Sequence, residues 1–500
     1  MNARFKTIAY CLILLLCMIA LYGCHQPVLN SPLGQHGCRR CHLVHPDHNH
    51  DFSCTACHKG NPKGKTVREA HKGLIACPAS PSNMKSVCGR CHERAVRACI
   101  ASEHFTLKCE ISSVWSAFFP HQPVPNLSRL VAMDHANPRT PHGLVADLLC
   151  RRCLRCHVYS HGDSYRAVQH GLGCVACHMR PYGLRGAGDH IFLARVPDDA
   201  CLSCHHDNFV GWDFYGRFDK DFDEAYRCPL VKGRAPLRPY GIEWHQMGED
   251  IHRRAGFSCI TCHIIGPCGL SINGREPGVF YKGRIYPLPK ILYGHRTLTC
   301  LDCHLLAPKN WKLAGPRLDE LIVGHRPEDI KRVDCAACHA GWSFVDTGRY
   351  LTLQIYPDFQ DWQYLAVEGC SAVEQKIHNH LKYPQLGPKA FMDNQFSGIS
   401  YEGLWLESLY TRRWYPVPLG IDAHGRLCVV RPILDLYLNY IDADDNVVFD
   451  NLHPKRTWMP YSPHTISRAD VFRTLAIQQW LLHKTFLPYV KEFIPGDKIF

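Results

Sequence analysis

Methionine is scarce: eight residues in 500 give thioether sulfur no general role as a metal ligand. An EF-hand is absent. Asp219, Asp221 and Asp223 alternate in a way that suits calcium, but the loop glycine and closing glutamate do not follow at the required spacing. A solvated acidic turn is the better reading. Cys-x-x-Cys-Lys does not occur. An acidic surplus is missing too: 57 Lys and Arg against 45 Asp and Glu make a formal charge of +12. That balance invites a nucleic-acid partner, which the cysteine pattern argues against.

Cysteine and histidine are abundant, with 29 and 33 residues. Cys-x-x-Cys-His occurs nine times: Cys38, Cys41 and His42; Cys54, Cys57 and His58; Cys88, Cys91 and His92; Cys153, Cys156 and His157; Cys174, Cys177 and His178; Cys201, Cys204 and His205; Cys259, Cys262 and His263; Cys300, Cys303 and His304; Cys335, Cys338 and His339. Chance gives roughly 0.1 copies at this composition. The pattern is the attachment signature of haem c. Two thiols bond to the haem vinyl groups, and the adjacent His becomes the proximal iron ligand. Zinc sites also use Cys-x-x-Cys pairs, but they need no His directly after each second Cys. Here none of the nine pairs lacks it, so nine haems c are the expected cofactors.

Haem changes the charge. Without Arg4 and Lys6, which would leave with an N-terminal leader, the chain carries +10. A bis-His haem with ionised propionates adds about −1 when ferric and about −2 when ferrous. The loaded chain then comes to about +1 oxidised and about −8 reduced. No nucleic acid is expected, and many basic residues should pair with propionates.

Residues 1–24 read as a signal peptide: a basic start, an apolar run, and Leu21-Tyr22-Gly23-Cys24, which resembles a bacterial lipobox. Cys24 would be the lipidated first residue of the mature chain. A plain cleaved signal or an uncleaved anchor are the alternatives. Each places the body outside the cytoplasm, in the periplasm or at the outer membrane. His25 after the Cys favours the outer membrane, by resemblance to the enterobacterial sorting rule. Eight cysteines remain outside motifs and leader: Cys77, Cys99, Cys109, Cys150, Cys228, Cys268, Cys370 and Cys428. In an oxidising compartment they suit disulfides. Proximity suggests Cys99–Cys109, Cys228–Cys268 and Cys370–Cys428, and buried thiols are the alternative.

The motifs divide the mature chain into an N-terminal region, 25–145, with three; a central region, 146–340, with six; and a segment, 341–500, with none. Haems would supply much of the core, so mainly short α-helices and long loops are expected: a haem-dominated multihaem cytochrome c. The C-terminal segment should be mixed and should wrap the haem body. RLCVVRPILDLYLNYIDADDNVVFDN reads as strands around an Asp/Asn turn. Ser467–Phe486 reads as an amphipathic helix with Ser467 and Asp470 placed like a capping box. Its Leu475, Ile477, Leu481 and Leu482 would face the core.

Distal iron ligands must come from the other histidines. Seven motifs have one four to eleven residues upstream: His50, His142, His170, His190, His252, His295 and His325. Weaker candidates are His45, His71, His135, His161, His245 and His464. Each has a bland alternative as a surface or propionate-bonding residue.

The stretches VPDDACLSCHHD, GWDFYGRFDKDF and YGIEWHQMGEDIHRRAGFSCITCH resemble segments of the multihaem cytochromes c of metal- and sulfur-reducing bacteria, over about residues 36–340. The resemblance implies periplasmic or outer-membrane electron transfer. Its partners would be redox proteins, a porin–cytochrome complex or an extracellular acceptor. A more distant similarity is to octahaem hydroxylamine, nitrite and tetrathionate oxidoreductases, some with a Lys-ligated iron. The missing Cys-x-x-Cys-Lys and the count of nine depart from that pattern. Pro463-His464-Thr465 looks like the lead-in to a haem motif, but none follows. A non-catalytic electron carrier is the leading expectation. The alternatives are a reductase of a small nitrogen or sulfur oxyanion and a nanowire subunit. The reductase would use an open iron near Tyr240, Glu243, His245, Arg253 and Arg254.

Overall fold

The computed structural model describes residues 37–42, 44–163, 165, 167–179, 189–206, 211–219, 244–263, 278–282, 284–287, 298–307, 318, 325–347, 349–362, 370–383, 389–408, 411–432, 434, 436–455, 458–483 and 490–491. The leader, Cys24, Asp221, Asp223, Tyr240, Glu243, Cys228, Cys268 and His295 lie outside them. The chain forms two compact units, Met1–His45 with Asp51–Ala76, and Pro46–His50 with Cys77–Phe500. Helix and strand are mixed, and no sheet among the described residues closes into a barrel. No helix among them is long and apolar enough to cross a membrane.

The smaller unit holds the first two motifs, and none of its described residues is buried. Hydrogen bonds organise it instead. Thr66 caps the turn Val67–Ala70 by accepting from Glu69 N, while the Glu69 carboxylate accepts from Lys65 N. Arg39 pairs with Asp51.

The larger unit has a conventional side-chain core, and it joins two stretches that lack motifs. Helices α1 (Lys108–Phe118), α2 (Leu127–Val131) and α3 (Pro141–Arg151) come from the first. Strands β1 (Tyr350–Gln354) and β2 (Leu404–Glu407) and helix α4 (Ser371–Lys382) come from the second. In α3, Thr140 accepts from Gly143 N, and Pro141 stands in the first turn, where its missing N–H is no loss. Leu144, Val145, Leu148 and Leu149 of α3 are fully buried, in one cluster with Leu353, Trp405 and Leu438. A boundary at residue 145 would cut this helix, because the core is built across the chain.

Two four-stranded sheets follow. The first runs β2-β1-β5-β6, with β5 at Tyr437–Ile441 and β6 at Val447–Leu452. Only its β1–β5 pairing is parallel. The second sheet contains β3 (Leu419–Ile421), β4 (Leu427–Pro432), β7 (Trp458–Pro460) and β8 (Val490–Lys491), in the order β7-β4-β3-β8. The expected Asp/Asn turn joins β5 to β6: Asp442 Oδ1 accepts from Asp444 N and Asn446 N, both at 3.0 Å. β4 and β5 nevertheless enter different sheets.

The last helix, α5, is Val471–His483. It begins later than the capping-box spacing suggests, because Asp470 itself caps it by accepting from Arg473 N at 2.8 Å. Ile477 is buried and Leu481 half-buried, but Leu475 and Leu482 are exposed. Only one edge of α5 meets the second sheet, so the apolar face read from periodicity is wider than the face used.

Of the cysteine pairs suggested by proximity, Cys99–Cys109 and Cys370–Cys428 do not form, and Cys228–Cys268 lies outside the described residues. Cys109 is an exposed thiol, and Cys370 and Cys428 are separate buried thiols. Cys370 packs in the first core, while Cys428 lies on β4 of the second sheet. Burial pushes the Cys428 thiol up to about 12.

Polar groups lock α3 to β2. Trp405 Nε1 donates to Asp147 Oδ1 at 2.8 Å, and Arg152 bonds to Glu407 at 2.5 Å. Arg151, fully buried, donates to the carbonyls of Tyr401 and Gly403. Cys153 follows directly, so this packing positions the fourth motif. Leu148→Ala should destabilise this core by about 3 kcal/mol. The check is denaturant unfolding followed by tryptophan fluorescence, with the haem content per chain compared with the unaltered protein.

Candidate functional site

Each of the nine motifs adopts a helical turn. A backbone bond from the His N–H to the first Cys carbonyl closes several of these turns, as in His42 to Cys38 at 3.1 Å, His178 to Cys174 at 3.0 Å and His263 to Cys259 at 3.0 Å. Local sequence favours such turns. Asp334 caps the ninth by accepting from Ala336 N, and Ser258 and Thr261 form a reciprocal box at the seventh. Residues i, i+3 and i+4 share a helix face, so each turn presents two thiols and one imidazole together.

Six motif histidines each face a second histidine that belongs to no motif. Ring centroids lie 5.9 Å apart for His42 and His71, 6.3 Å for His92 and His50, and 6.2 Å for His205 and His104. They lie 6.3 Å apart for His263 and His464, 6.2 Å for His304 and His252, and 5.9 Å for His339 and His325. A metal–imidazole bond of about 2 Å on each side, plus about 1 Å from nitrogen to ring centre, puts two trans imidazoles about 6 Å apart. Direct ring stacking would be closer, as for His142 on Phe119 at 4.1 Å. The six gaps therefore fit a six-coordinate iron between paired rings.

The rings also offer the right atoms. His58, His178 and His339 direct Nδ1 at the carbonyls of Ile75, Leu193 and Ser467, at 2.9, 2.9 and 3.1 Å. Donation from Nδ1 leaves the Nε2 lone pair for a metal. On the other side, His50 and His252 direct Nδ1 at Asp47 and Asp250, at 2.9 and 2.8 Å. His157 and His170 are buried, and the Nε2 of each lacks a hydrogen-bond partner. Burial lowers both, His157 to about 3, and His170 adds a smaller like-charge effect on His157. Burial likewise lowers His104, His263 and His339, keeping their imidazoles neutral, the form that binds a metal. Burial alone would lower His252 too, but the Asp250 hydrogen bond raises it overall.

The motifs touch one another. In the smaller unit the Cys38 and Cys54 thiols are near enough to affect each other's titration. In the larger unit the same holds for Cys88 with Cys174, Cys201 with Cys259, and Cys300 with Cys335. Cys177 lies within electrostatic reach of Cys201 and Cys204, and Cys262 of Cys300 and Cys303. Cys204 Sγ donates to the Cys156 carbonyl at 2.8 Å. The third, fifth, sixth, seventh, eighth and ninth motifs thus form an unbroken run, with the fourth joined at the sixth.

Among the other expected distal ligands, His170 lies near enough to His157 for its charge to act on it. Backbone carbonyls of His190 and His161 accept from Asp47 N and His170 N, both at 3.1 Å. The His45 side chain lies outside the described residues. His245 is exposed on the hairpin of Arg217–Asp219 with Trp244–Gln246. His142 and His135 are not brought to a motif. His142 sits at the start of α3, and the helix, about 16 Å long at 1.5 Å per residue, carries it away from Cys153. It bonds Gln122 instead. Both ring nitrogens of His135 are engaged, by Asp147 and the Leu130 carbonyl. Arg253, part of the oxyanion constellation, stacks on Tyr215 at 3.7 Å and pairs with Glu249 at 3.2 Å. Arg254 is exposed.

His104 was not among the expected ligands. It lies in a stretch without motifs, in the turn Glu103–Thr106, and its partner His205 is far along the chain. No local spacing could signal it. No family model, no curated protein and no solved structure matches the chain.

With haem bound between His104 and His205, His104→Ala should convert one low-spin iron to high spin while the covalent haem content stays unchanged. Electron paramagnetic resonance of the oxidised protein reads the first, and the pyridine haemochrome assay the second. An unchanged low-spin spectrum would detach His104 from the His205 site.

Proposed function

We propose that the protein is a nine-haem c-type cytochrome carrying electrons through mostly bis-His haems. The observation that carries this is the set of six motif histidines, each facing a non-motif histidine at 5.9–6.3 Å. Nothing in a zinc ribbon requires that second imidazole. Haem supplies the one-electron chemistry when bound.

The chain's own residues do the rest. Motif cysteines fix the attachment points, and contacts between motifs set the order third, fifth, sixth, seventh, eighth, ninth, with the fourth as a branch at the sixth. The paired histidines would hold the iron from both sides, which would suit electron transfer and oppose substrate binding. Carbonyl and carboxylate groups behind the rings fix their tautomers and tune their basicity. The smaller unit, with two motifs and no buried side chain among its described residues, fits a segment whose core is a prosthetic group.

In this reading the protein is exported, held by lipid at Cys24 in the periplasm or at the outer membrane, and exchanges electrons with redox proteins, a porin–cytochrome complex or an extracellular acceptor. A reductase would instead need one open iron beside a polar pocket, and a nanowire subunit would need a self-assembly surface.

The test combines the pyridine haemochrome assay with electron paramagnetic resonance of the oxidised holoprotein. The expected result is nine haems per chain, all low-spin. A stoichiometric high-spin signal that shifts on adding nitrite, hydroxylamine or sulfite would replace the carrier reading with the reductase.

A further inference from the structure

Four residues of the segment without motifs, His464–Ser467, meet three haem sites that are consecutive in the run. His464 faces His263 of the seventh motif, with centroids 6.3 Å apart. Its own backbone N–H donates to Asp213 Oδ2 at 3.1 Å, and buried Asp213 also accepts from Tyr461 Oη at 2.8 Å. Two residues on, Ile466 N–H donates to Asp250 Oδ2 at 2.7 Å, while Ile251 N–H donates back to the Ile466 carbonyl at 2.8 Å. The other oxygen of Asp250 receives Nδ1 of His252, which faces His304 of the eighth motif. Ser467 completes the set. Its carbonyl accepts from Nδ1 of His339, the ninth-motif ligand, at 3.1 Å, and its N–H donates to the His339 carbonyl at 2.9 Å. Thr465 between them is buried and bonded to Trp342, and its carbonyl accepts from Gly341 N at 2.7 Å.

We propose that His464–Ser467 is one positioning element for the axial ligands of the seventh, eighth and ninth haems. It supplies the distal ligand of the seventh, orients that of the eighth through Asp250, and orients the proximal ligand of the ninth through the Ser467 carbonyl. The inference rests on the nine-haem reading. Its physical basis is that a group bonded to Nδ1 fixes the ring plane and raises the basicity of Nε2, and both affect the iron. An extended backbone alternates its exposed groups, so one short segment can serve three sites at once. Asp250 is the link: a carboxylate can accept from a ring and from a backbone N–H together, whereas an amide has one acceptor oxygen.

Ile466→Pro removes the N–H that holds Asp250, and Ile466→Ala keeps it. With the full-length holoprotein, the proline variant should shift the low-spin signal of the eighth haem and change its reduction equilibrium about tenfold, or 59 mV for one electron. The seventh and ninth should move with it, the other haems should not, and the alanine variant should match the unaltered protein. Asp250→Asn, which leaves the backbone intact, should raise the potential of the eighth haem alone by a similar amount. Should the proline variant fail to fold, the asparagine variant decides. An unchanged eighth haem in Asp250→Asn, or equal shifts across all haems, overturns the proposal. A haem count below nine in the unaltered protein would mark failure of the underlying reading instead.

Discussion

One recurring geometry organises the structure: a motif imidazole and a second imidazole with ring centroids 5.9–6.3 Å apart. One ring of each pair is carried by a helical turn that also presents two thiols. The other comes from wherever the chain can bring it. His50 and His325 come from just upstream of a motif, His104 and His464 from stretches with no motif at all. A side-chain core would close such a gap. In three of the six pairs one ring is held from behind, by the Ser467 carbonyl at His339 and by the carboxylates of Asp47 at His50 and Asp250 at His252.

Stretches without motifs therefore serve as scaffold. α3 and β2 form a dry layer whose buried arginines run directly into Cys153. The second sheet packs β4 and α5 against the helix of the ninth motif through Leu427, Ile477 and Ala337. These contacts are apolar, and they reach into the motif turns themselves, at Leu154 and at Ala337. Packing energy resides in the scaffold, and the motif turns inherit their placement from it.

Charge is arranged on the same principle. Burial keeps His157, His104 and His263 neutral and able to bind iron. Arg151, Arg152 and Arg412 are paired or bonded within the scaffold, to carbonyls, Glu407 and Asp346. Part of the basic surplus that the composition shows is thus spent on internal pairing.

Local chemistry was legible from the residues alone. Cys-x-x-Cys-His determines a helical turn bearing two thiols and a ring, because its spacing matches the helix period. That His252 and His325 would lie near a motif histidine was legible for the same reason: a short link limits where they can go. The Asp442 turn and the core-facing Ile477 also followed from local pattern. Tertiary structure decided what local pattern cannot carry. His142 had suitable spacing but sits at the far end of a straight helix. Cys370 packs in the first core and Cys428 lies on β4 of the second sheet, although one segment holds both. The pairing of His104 with His205, and the meeting of His464–Ser467 with three motifs, join residues far apart in sequence, and packing of whole elements sets those distances.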